Sequence, residues 1–198
     1  VVRPLFLAAM GRGNSVEVEL KYLGPDLADT RRRLLEAGAK VAGPRELETN
    51  VVFDDERQSL RNSERLLRLR NGEELTVKLP VQDDQYKSRR EITIHGSGGS
   101  VAELLGGLGF RPTWAYEKYR EGFDMDGMFV TLDELPFVGA VVEIEGDRER
   151  IDETAARLGL ASLTTSTASY RTLYEEYAAA NGISRGDMTW EAEAALRH

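Results

Sequence analysis

The stretch Glu17-Val18-Glu19-Leu20-Lys21 alternates charged and apolar side chains with the period of a β-strand. Successive side chains of a strand point to opposite faces of the sheet. We therefore predict a strand here, with the three charged residues on one face and the two apolar residues on the other. Such a charged face either meets solvent, as is common in antiparallel sheets, or lines a site. The stretch alone favours solvent, so the rest of the chain has to decide between the two.

Composition limits what kind of protein this is. The chain has 198 residues, 41% hydrophobic and 30% charged, which suits one well-buried domain and is short for two. It contains no cysteine, so a bound metal would rest mainly on carboxylates. A formal net charge of -8 argues against broad charge-driven binding to nucleic acid or to an anionic membrane. We expect a cytoplasmic protein without nucleic-acid or membrane partners.

We divide the chain into three parts. Residues 1–14, which end in Gly11-Arg12-Gly13-Asn14, are predicted to form a flexible N-terminal extension. Their apolar run from Leu5 to Met10 is too short to span a bilayer. Residues 15–180 are predicted to form one folded domain. Residues 181–198 are a C-terminal tail that can add one short helix.

Strand-like alternation recurs along the predicted domain. After the opening strand, further strands are predicted at 50–54, 66–70, 74–79 and 88–95, followed by three long strands between residues 114 and 145. Asn71-Gly72 and Asp126-Gly127 are strong turn signals between neighbouring strands. Eight strands joined mostly by tight turns indicate an α+β domain. Because only about four short helices can cover the apolar faces, we favour an eight-stranded antiparallel β-barrel with helices packed outside over an open sheet.

The charged rows of these strands contain both cations and carboxylates. They are Glu17, Glu19, Lys21, Arg68, Arg70, Lys78, Arg89, Glu91, Lys118, Arg120, Asp133, Glu143 and Glu145. If the rows converge inside a barrel, the cations suit a polyanion, since Arg contacts phosphate oxygens in a bidentate manner and Lys offers a point charge. The carboxylates would repel that polyanion unless a hard cation such as Mg²⁺ or Mn²⁺ lay between them. The pattern predicts a metal-assisted phosphoryl-transfer site.

The order of these motifs resembles that of the CYTH superfamily, the triphosphate tunnel metalloenzymes. Glu17-x-Glu19-x-Lys21 resembles the ExExK signature of that family, which is weakly specific by itself. The later pieces follow in the family's order: Leu67-Arg68-Leu69-Arg70, Thr76-Val77-Lys78, Arg89-Arg90-Glu91, Glu117-Lys118-Tyr119-Arg120, Leu132-Asp133-Glu134-Leu135-Pro136, Glu143-Ile144-Glu145 and Ser169-Tyr170. This ordered set, which spans roughly residues 15–175, is strongly specific.

The resemblance implies an eight-stranded tunnel that binds a small-molecule triphosphate and one or two divalent metals. It implies phosphate contacts for Lys21, Arg68, Arg70, Lys78, Arg89, Lys118 and Arg120. It implies metal binding, or placement of an attacking water, for Glu17, Glu19, Asp133, Glu143 and Glu145. Glu17, Glu19 and Lys21 form the predicted catalytic group, Glu91 either joins the carboxylates or orients Arg89, and Ser169-Tyr170 is interpreted as an anchor for the late helix.

Three functions stay open. The first is a metal-dependent triphosphatase, in which water attacks the terminal phosphorus of inorganic triphosphate or of a small organic triphosphate. The second is a class IV adenylyl cyclase that makes cyclic AMP and pyrophosphate from ATP, and the third is non-catalytic polyphosphate binding. Cyclases of this family tend to carry a His-Phe pair shortly before ExExK, whereas this chain has Gly13-Asn14-Ser15-Val16, which favours hydrolysis. The compact length resembles cyclase-like members, and a homodimer is left open.

Overall fold

The computed structural model describes residues 16–80, 87–96 and 99–196, with the backbone only for residues 16, 17 and 87–89. The predicted N-terminal extension lies outside the described residues. The strands are β1 (Val16–Leu23), β2 (Lys40–Asp54), β3 (Leu66–Arg70), β4 (Glu74–Pro80), β5 (Lys87–His95), β6 (Arg111–Met125), β7 (Met128–Leu135), β8 (Gly139–Glu145) and β9 (Thr165–Ser166). The helices are α1 (Leu27–Glu36), α2 (Ser59–Asn62), α3 (Ser100–Gly107), α4 (Arg148–Arg157), α5 (Tyr170–Ala180) and α6 (Trp190–Ala195). None of these helices has the length and apolar character of a membrane span.

Eight strands pair in a ring. Their order is β5-β4-β3-β2-β6-β7-β8-β1, every neighbouring pair is antiparallel, and β1 also pairs with β5. That last pairing sets Val16 opposite Arg90 and joins the two ends of the order. The short strand β9 continues along the same edge of β1, beside Lys21 and Tyr22. The predicted α+β fold with eight principal strands is confirmed.

Strand β2 is much longer than the sequence analysis predicts. It begins at Lys40 rather than at Asn50, and it pairs with β6 along almost its whole length. Register shifts near Gly43 interrupt the pairing, and they obscure the period-two alternation in the sequence. The missed segment carries Glu48, which proves to be part of the interior.

Two apolar clusters cover the outside of the ring. The outward rows of β1, β7 and β8 pack against α1 and α4, with Leu34, Ile144 and Ile151 completely buried. Helix α1 begins directly after Asp26, because the Asp26 carboxylate accepts hydrogen bonds from the backbone N–H groups of the first turn. On the other side, α3 packs against the outward rows of β2 and β3 through Val101 and other apolar residues. These helices cover the apolar rows as the alternation requires.

Helix α5 packs differently, against inward rows at one end of the barrel. We call this group the end cluster; it contains Val52, Trp114, Tyr116, Leu135, Phe137, Val141, Tyr170, Leu173, Tyr174 and Met188. The register identifies its strand members as inward, since Val52 lies opposite Trp114 and each continues a row that holds charged residues further along. One end of the interior is therefore filled with apolar side chains, and the charged rows occupy the remainder.

Candidate functional site

The strand register brings the predicted charged rows to one interior face. Residues directly opposite each other on paired strands share a face of the sheet. The pairs on this face are Glu17 with Arg89, Glu19 with Glu145, Lys21 with Glu143, Arg120 with Asp133, Lys118 with Glu48 and Lys78 with Glu91. The predicted side-chain roles of Glu17 and Arg89 lie outside the described side chains. The other eleven residues of the predicted charged rows all lie on the inward face.

Lys21 is buried between two carboxylates. Its side chain is 2% exposed, and its Nζ lies 2.9 Å from Glu19 Oε1 and 3.0 Å from Glu143 Oε1. Burial by itself would lower the pKa of Lys21, but the charges of Glu143 and Glu19 outweigh burial and raise that pKa. The Lys21 ammonium group, which stays charged, thus ties the predicted catalytic stretch of β1 to β8.

Arg120 links Glu143 to Asp133. Its Nη2 lies 2.5 Å from Glu143 Oε2, and its Nε donates to Asp133 Oδ1 at 2.6 Å. Asp133 is fully buried and also accepts from Lys118 Nζ at 3.3 Å and from the Tyr170 hydroxyl at 2.5 Å. Burial opposes the charge on Arg120, yet Asp133 and Glu143 raise its pKa well above the ordinary value. Four charged side chains and one tyrosine therefore form a continuous buried network.

Glu48 is a site residue that the sequence analysis misses. It is 5% exposed, and its carboxylate lies 3.4 Å from Arg70 Nε and 3.5 Å from Lys118 Nζ. Burial would raise the pKa of Glu48, but Lys118 and Arg70 lower it far below the ordinary value. Alternation of Glu46, Glu48 and Asn50 with outward residues is the signal that could have identified this row.

Strands β3 and β4 contribute further cations to the interior. Arg70 Nη1 lies 3.3 Å from Glu74, a second carboxylate absent from the predicted set, and Lys78 forms an ion pair with Glu91. Burial opposes ionisation of Glu91, but Lys78 and Arg68 keep its pKa below the ordinary value. This contact pairs Glu91 with Lys78, a predicted phosphate-binding residue, while the charge of Glu91 also acts on Glu145.

Arg68 is buried with incomplete hydrogen bonding. It is 5% exposed, and its Nη1 lies 3.5 Å from the Tyr116 hydroxyl. Among the described residues its Nε has no hydrogen-bond partner. A buried guanidinium donor without a partner is rare in folded proteins and marks a place where an anionic oxygen can bind.

The interior carries little net charge before anything binds. Its buried and half-buried cations, among the described side chains, are Lys21, Arg68, Arg70, Lys78, Lys118 and Arg120. The corresponding carboxylates are Glu19, Glu48, Glu74, Glu91, Asp133, Glu143 and Glu145. Among these described side chains the carboxylates outnumber the cations by one, so they alone would not balance the negative charge of a bound triphosphate. A divalent cation would supply further positive charge.

Glu19 and Glu145 fit a divalent cation. They lie directly opposite each other on β1 and β8, facing the same side. Burial and then the charge of Glu19 raise the pKa of Glu145 to about 7, with Lys78 opposing and Glu143 and Glu91 adding to the rise. Crowded carboxylates that resist ionisation are relieved by a hard cation, and oxygen ligands suit Mg²⁺ and Mn²⁺.

The described side chains form only part of a possible metal site. No group of three or more potential metal ligands is assembled within that part of the chain, to which the side chain of Glu17 does not belong. Asp133 directs both carboxylate oxygens at Arg120, and Glu143 lies between Lys21 and Arg120. The metal roles of Glu17, Asp133 and Glu143 stay predictions.

The raised pKa of Glu145 predicts a pH-dependent cost to stability without metal. The folded protein holds the Glu145 proton to about pH 7, whereas the unfolded chain releases it near the ordinary value of 4.5. This contribution is present below pH 4.5 and is lost as the pH rises through 7. Glu145→Gln removes this titration. The free energy of unfolding of the variant minus that of wild type is therefore expected to be about 1–3 kcal/mol larger at pH 8 than at pH 5.

Urea unfolding in EDTA at both pH values measures this effect. Glu134→Gln is the matched control, because Glu134 neighbours the inward row on β7 and forms an exposed pair with Arg45. An equal difference between the Glu145 variant and wild type at both pH values would contradict the prediction.

Comparison with known proteins adds independent information. Residues 15–170 match the model of the CYTH domain. The protein named adenylate cyclase CyaB from Aeromonas hydrophila is 27% identical over 170 residues, which cover 81% of this chain and 89% of that protein. A solved protein from Pyrococcus horikoshii, PH1819, is 26% identical with a TM-score of 0.64 and covers 81% of this chain and 98% of its own.

Two more distant structures share the fold. A candidate adenylate cyclase from Vibrio parahaemolyticus has a TM-score of 0.73 at 21% identity, covering 82% of this chain and 99% of its own. A Hippeastrum protein, named as an adenylyl cyclase and described as having a dominant triphosphatase activity, has a TM-score of 0.61 at 17% identity, covering 86% and 97%. At these identities the likeness supports the antiparallel barrel with its helices.

Proposed function

This chain belongs to the CYTH domain family, and from that premise we propose that it is a metal-dependent triphosphatase acting on inorganic triphosphate or a small organic triphosphate. The observation that carries the proposal is the mixed lining of the barrel interior. Buried cations, among them Arg68, whose Nε has no hydrogen-bond partner among the described residues, share the inward face of the ring with the crowded carboxylates Glu19 and Glu145. Polyphosphate chemistry requires both kinds of group.

The cations would hold the phosphate chain. Arg68, Arg70 and Arg120 can each direct two N–H donors at phosphate oxygens, while Lys21, Lys78 and Lys118 offer point charges. Carboxylates already hold most of these side chains in place before ligand binds, as Asp133 holds Arg120 and Glu48 faces Arg70. Such preorganisation reduces the rearrangement needed when substrate arrives, which is a major source of catalytic power.

The carboxylates would hold the metal. Glu19 and Glu145, with the predicted contribution of Glu17, are the side chains that fit Mg²⁺ or Mn²⁺. When bound, the metal neutralises phosphate charge and lowers the pKa of a coordinated water. The end cluster closes one end of the interior with apolar side chains, which limits solvent access to the deepest cations, Lys21 and Lys118.

A class IV adenylyl cyclase is the second candidate. The observation that favours it is the name of the Aeromonas relative, which this chain matches over 89% of that protein's length. The same lining would serve a ribose hydroxyl attacking the α-phosphorus of ATP. Hydrolysis is preferred because Gly13-Asn14-Ser15-Val16 stands where cyclases of the family tend to have a His-Phe pair. The Hippeastrum structure, described as having a dominant triphosphatase activity, supports the same order of preference.

Product analysis tests the proposal and separates the two reactions. We expect purified protein with Mg²⁺ or Mn²⁺ to release orthophosphate from inorganic triphosphate. In EDTA we expect turnover to fall by at least about 100-fold, because the interior cannot balance the substrate charge alone, and excess metal should restore it. Ion-exchange chromatography of the products from inorganic triphosphate and ATP is the measurement. Formation of cyclic AMP and pyrophosphate from ATP, without orthophosphate from triphosphate, would reject the hydrolase.

A further inference from the structure

Tyr170 lies at the boundary between the end cluster and the charged interior. It is the first residue of α5, and the Ser169 side chain caps that helix by accepting from the backbone N–H of Thr172. The Tyr170 ring is 9% exposed and packs near Tyr116 with 6.5 Å between ring centroids. Ser169-Tyr170 is predicted from the sequence to anchor the helix, and the cap accounts for Ser169. The cap does not explain the position of the Tyr170 hydroxyl.

The hydroxyl of Tyr170 belongs to the buried network of Asp133, Lys118 and Arg120. Its hydroxyl donates a hydrogen bond to Asp133 Oδ2 at 2.5 Å. The Nζ atoms of Lys118 and Lys21 lie 4.9 Å and 5.3 Å from the centre of its ring, within the range of a cation–π contact. One side chain from α5 therefore contacts the two most deeply buried lysines and the carboxylate that orients Arg120.

Asp133 connects the Tyr170 hydroxyl to the side chains of Lys118 and Arg120 through hydrogen bonds. Its Oδ2 accepts from Tyr170 and also from Lys118 and Arg120, while its Oδ1 accepts from Arg120 Nε. A carboxylate fixed by several donors has one orientation, and losing one donor lets it rotate towards the others. Burial and the charges of Asp133 and Glu143 raise the pKa of Tyr170 well above its ordinary value, so its hydroxyl keeps its proton.

We propose that Tyr170 is a positioning residue for the phosphate-binding cations. Its hydroxyl fixes Asp133, and Asp133 in turn holds Lys118 and Arg120 in the orientation that the phosphate chain requires. This inference rests on the proposed function for its catalytic consequence, while the positioning itself is a property of the protein without ligand. Misplacing a binding group by about 1 Å can cost about 100-fold in rate, so the effect on turnover is measurable.

Tyr174 supplies a matched control on the same helix. It lies one turn beyond Tyr170, is 2% exposed and also belongs to the end cluster. Its ring packs on Trp114 and Phe137, and no hydrogen bond from its hydroxyl is present among the described residues. Tyr170→Phe and Tyr174→Phe remove the same atom from two buried rings, and only the first change reaches Asp133.

The test combines kinetics with NMR of the Arg120 side chain. We expect Tyr170→Phe to lower kcat/KM for inorganic triphosphate by about 10–100-fold and to leave Tm within a few degrees, whereas Tyr174→Phe stays within about twofold of wild type. In metal-free protein the Arg120 Nε–H resonance, assigned from an Arg120→Lys variant, should shift and exchange faster with solvent in Tyr170→Phe alone.

Each outcome discriminates. An unchanged Arg120 resonance in Tyr170→Phe overturns the positioning role whatever the activity. A shifted resonance with unchanged kcat/KM overturns its link to phosphate binding. A wild-type protein that turns over no triphosphate, combined with a shifted resonance, refutes the proposed function and supports the positioning.

Discussion

Replacing Glu19 with glutamine is expected to lower kcat for inorganic triphosphate by about 100–1,000-fold at a fixed Mg²⁺ concentration. The substitution keeps the shape of the side chain and removes one of the two carboxylates that face each other across β1 and β8. The remaining carboxylate binds a divalent cation more weakly. We therefore also expect the Mg²⁺ concentration for half-maximal activity to rise by at least about tenfold.

The fold should survive this change. Lys21 keeps its 3.0 Å contact with Glu143, so no buried ammonium is left without a partner. Loss of the Glu19 charge also removes one of the causes that raise the pKa of Glu145. Kinetic assays across a Mg²⁺ series, with Tm measured alongside, give the result, and Glu134→Gln is the control. Wild-type turnover with an unchanged Mg²⁺ requirement would exclude Glu19 from the metal site.

Replacing Arg70 with alanine is expected to lower kcat/KM by about 100–1,000-fold. Its guanidinium lies between Glu48 at 3.4 Å and Glu74 at 3.3 Å, and the side chain is 15% exposed, so it borders the accessible part of the interior. Bidentate contacts to phosphate oxygens strengthen as charge develops on the transferred group. Glu48 retains Lys118 at 3.5 Å in the variant, which limits the loss of stability.

Two further variants identify what Arg70 contributes. Arg70→Lys keeps the charge and loses the planar fork, so we expect an intermediate rate. Arg45→Ala is the control, because Arg45 is half exposed and pairs with Glu134 on the outer surface. Steady-state kinetics with inorganic triphosphate, at saturating metal, distinguish these cases. Equal rates in Arg70→Ala and Arg45→Ala would mean that Arg70 does not contact substrate.

Much of the architecture follows from local alternation. The period-two pattern at Glu17-Val18-Glu19-Leu20-Lys21, and its recurrence in later segments, specifies which side chains share a face, and the described inward rows agree with it. Turn signals such as Asn71-Gly72 mark where strands reverse, and Asp26 marks the start of α1. These features depend on neighbours only a few residues away, so they can be seen in the chain itself.

The alternation fails where backbone irregularity breaks its phase. The register shifts near Gly43 obscure the start of β2, which the sequence analysis does not predict. From Glu46 to Val52 the pairing with β6 is unbroken, and Glu48 is missed because the predicted strand begins only at Asn50. Glu74 is missed for another reason. It follows a tight turn, where a charged residue is usually solvent-exposed, and only its approach to Arg70 shows that it belongs to the interior.

The sequence by itself determined most of the strands, most of their charged faces and the chemical types of side chain that line the interior. Only the tertiary structure decided which cation neutralises which carboxylate, because partners such as Asp133 and Tyr170 lie far apart in the chain and meet through strand order and helix packing. Only the tertiary structure placed α5 against the inward rows, since an apolar helix face looks the same whether it covers the outside of a barrel or fills its end.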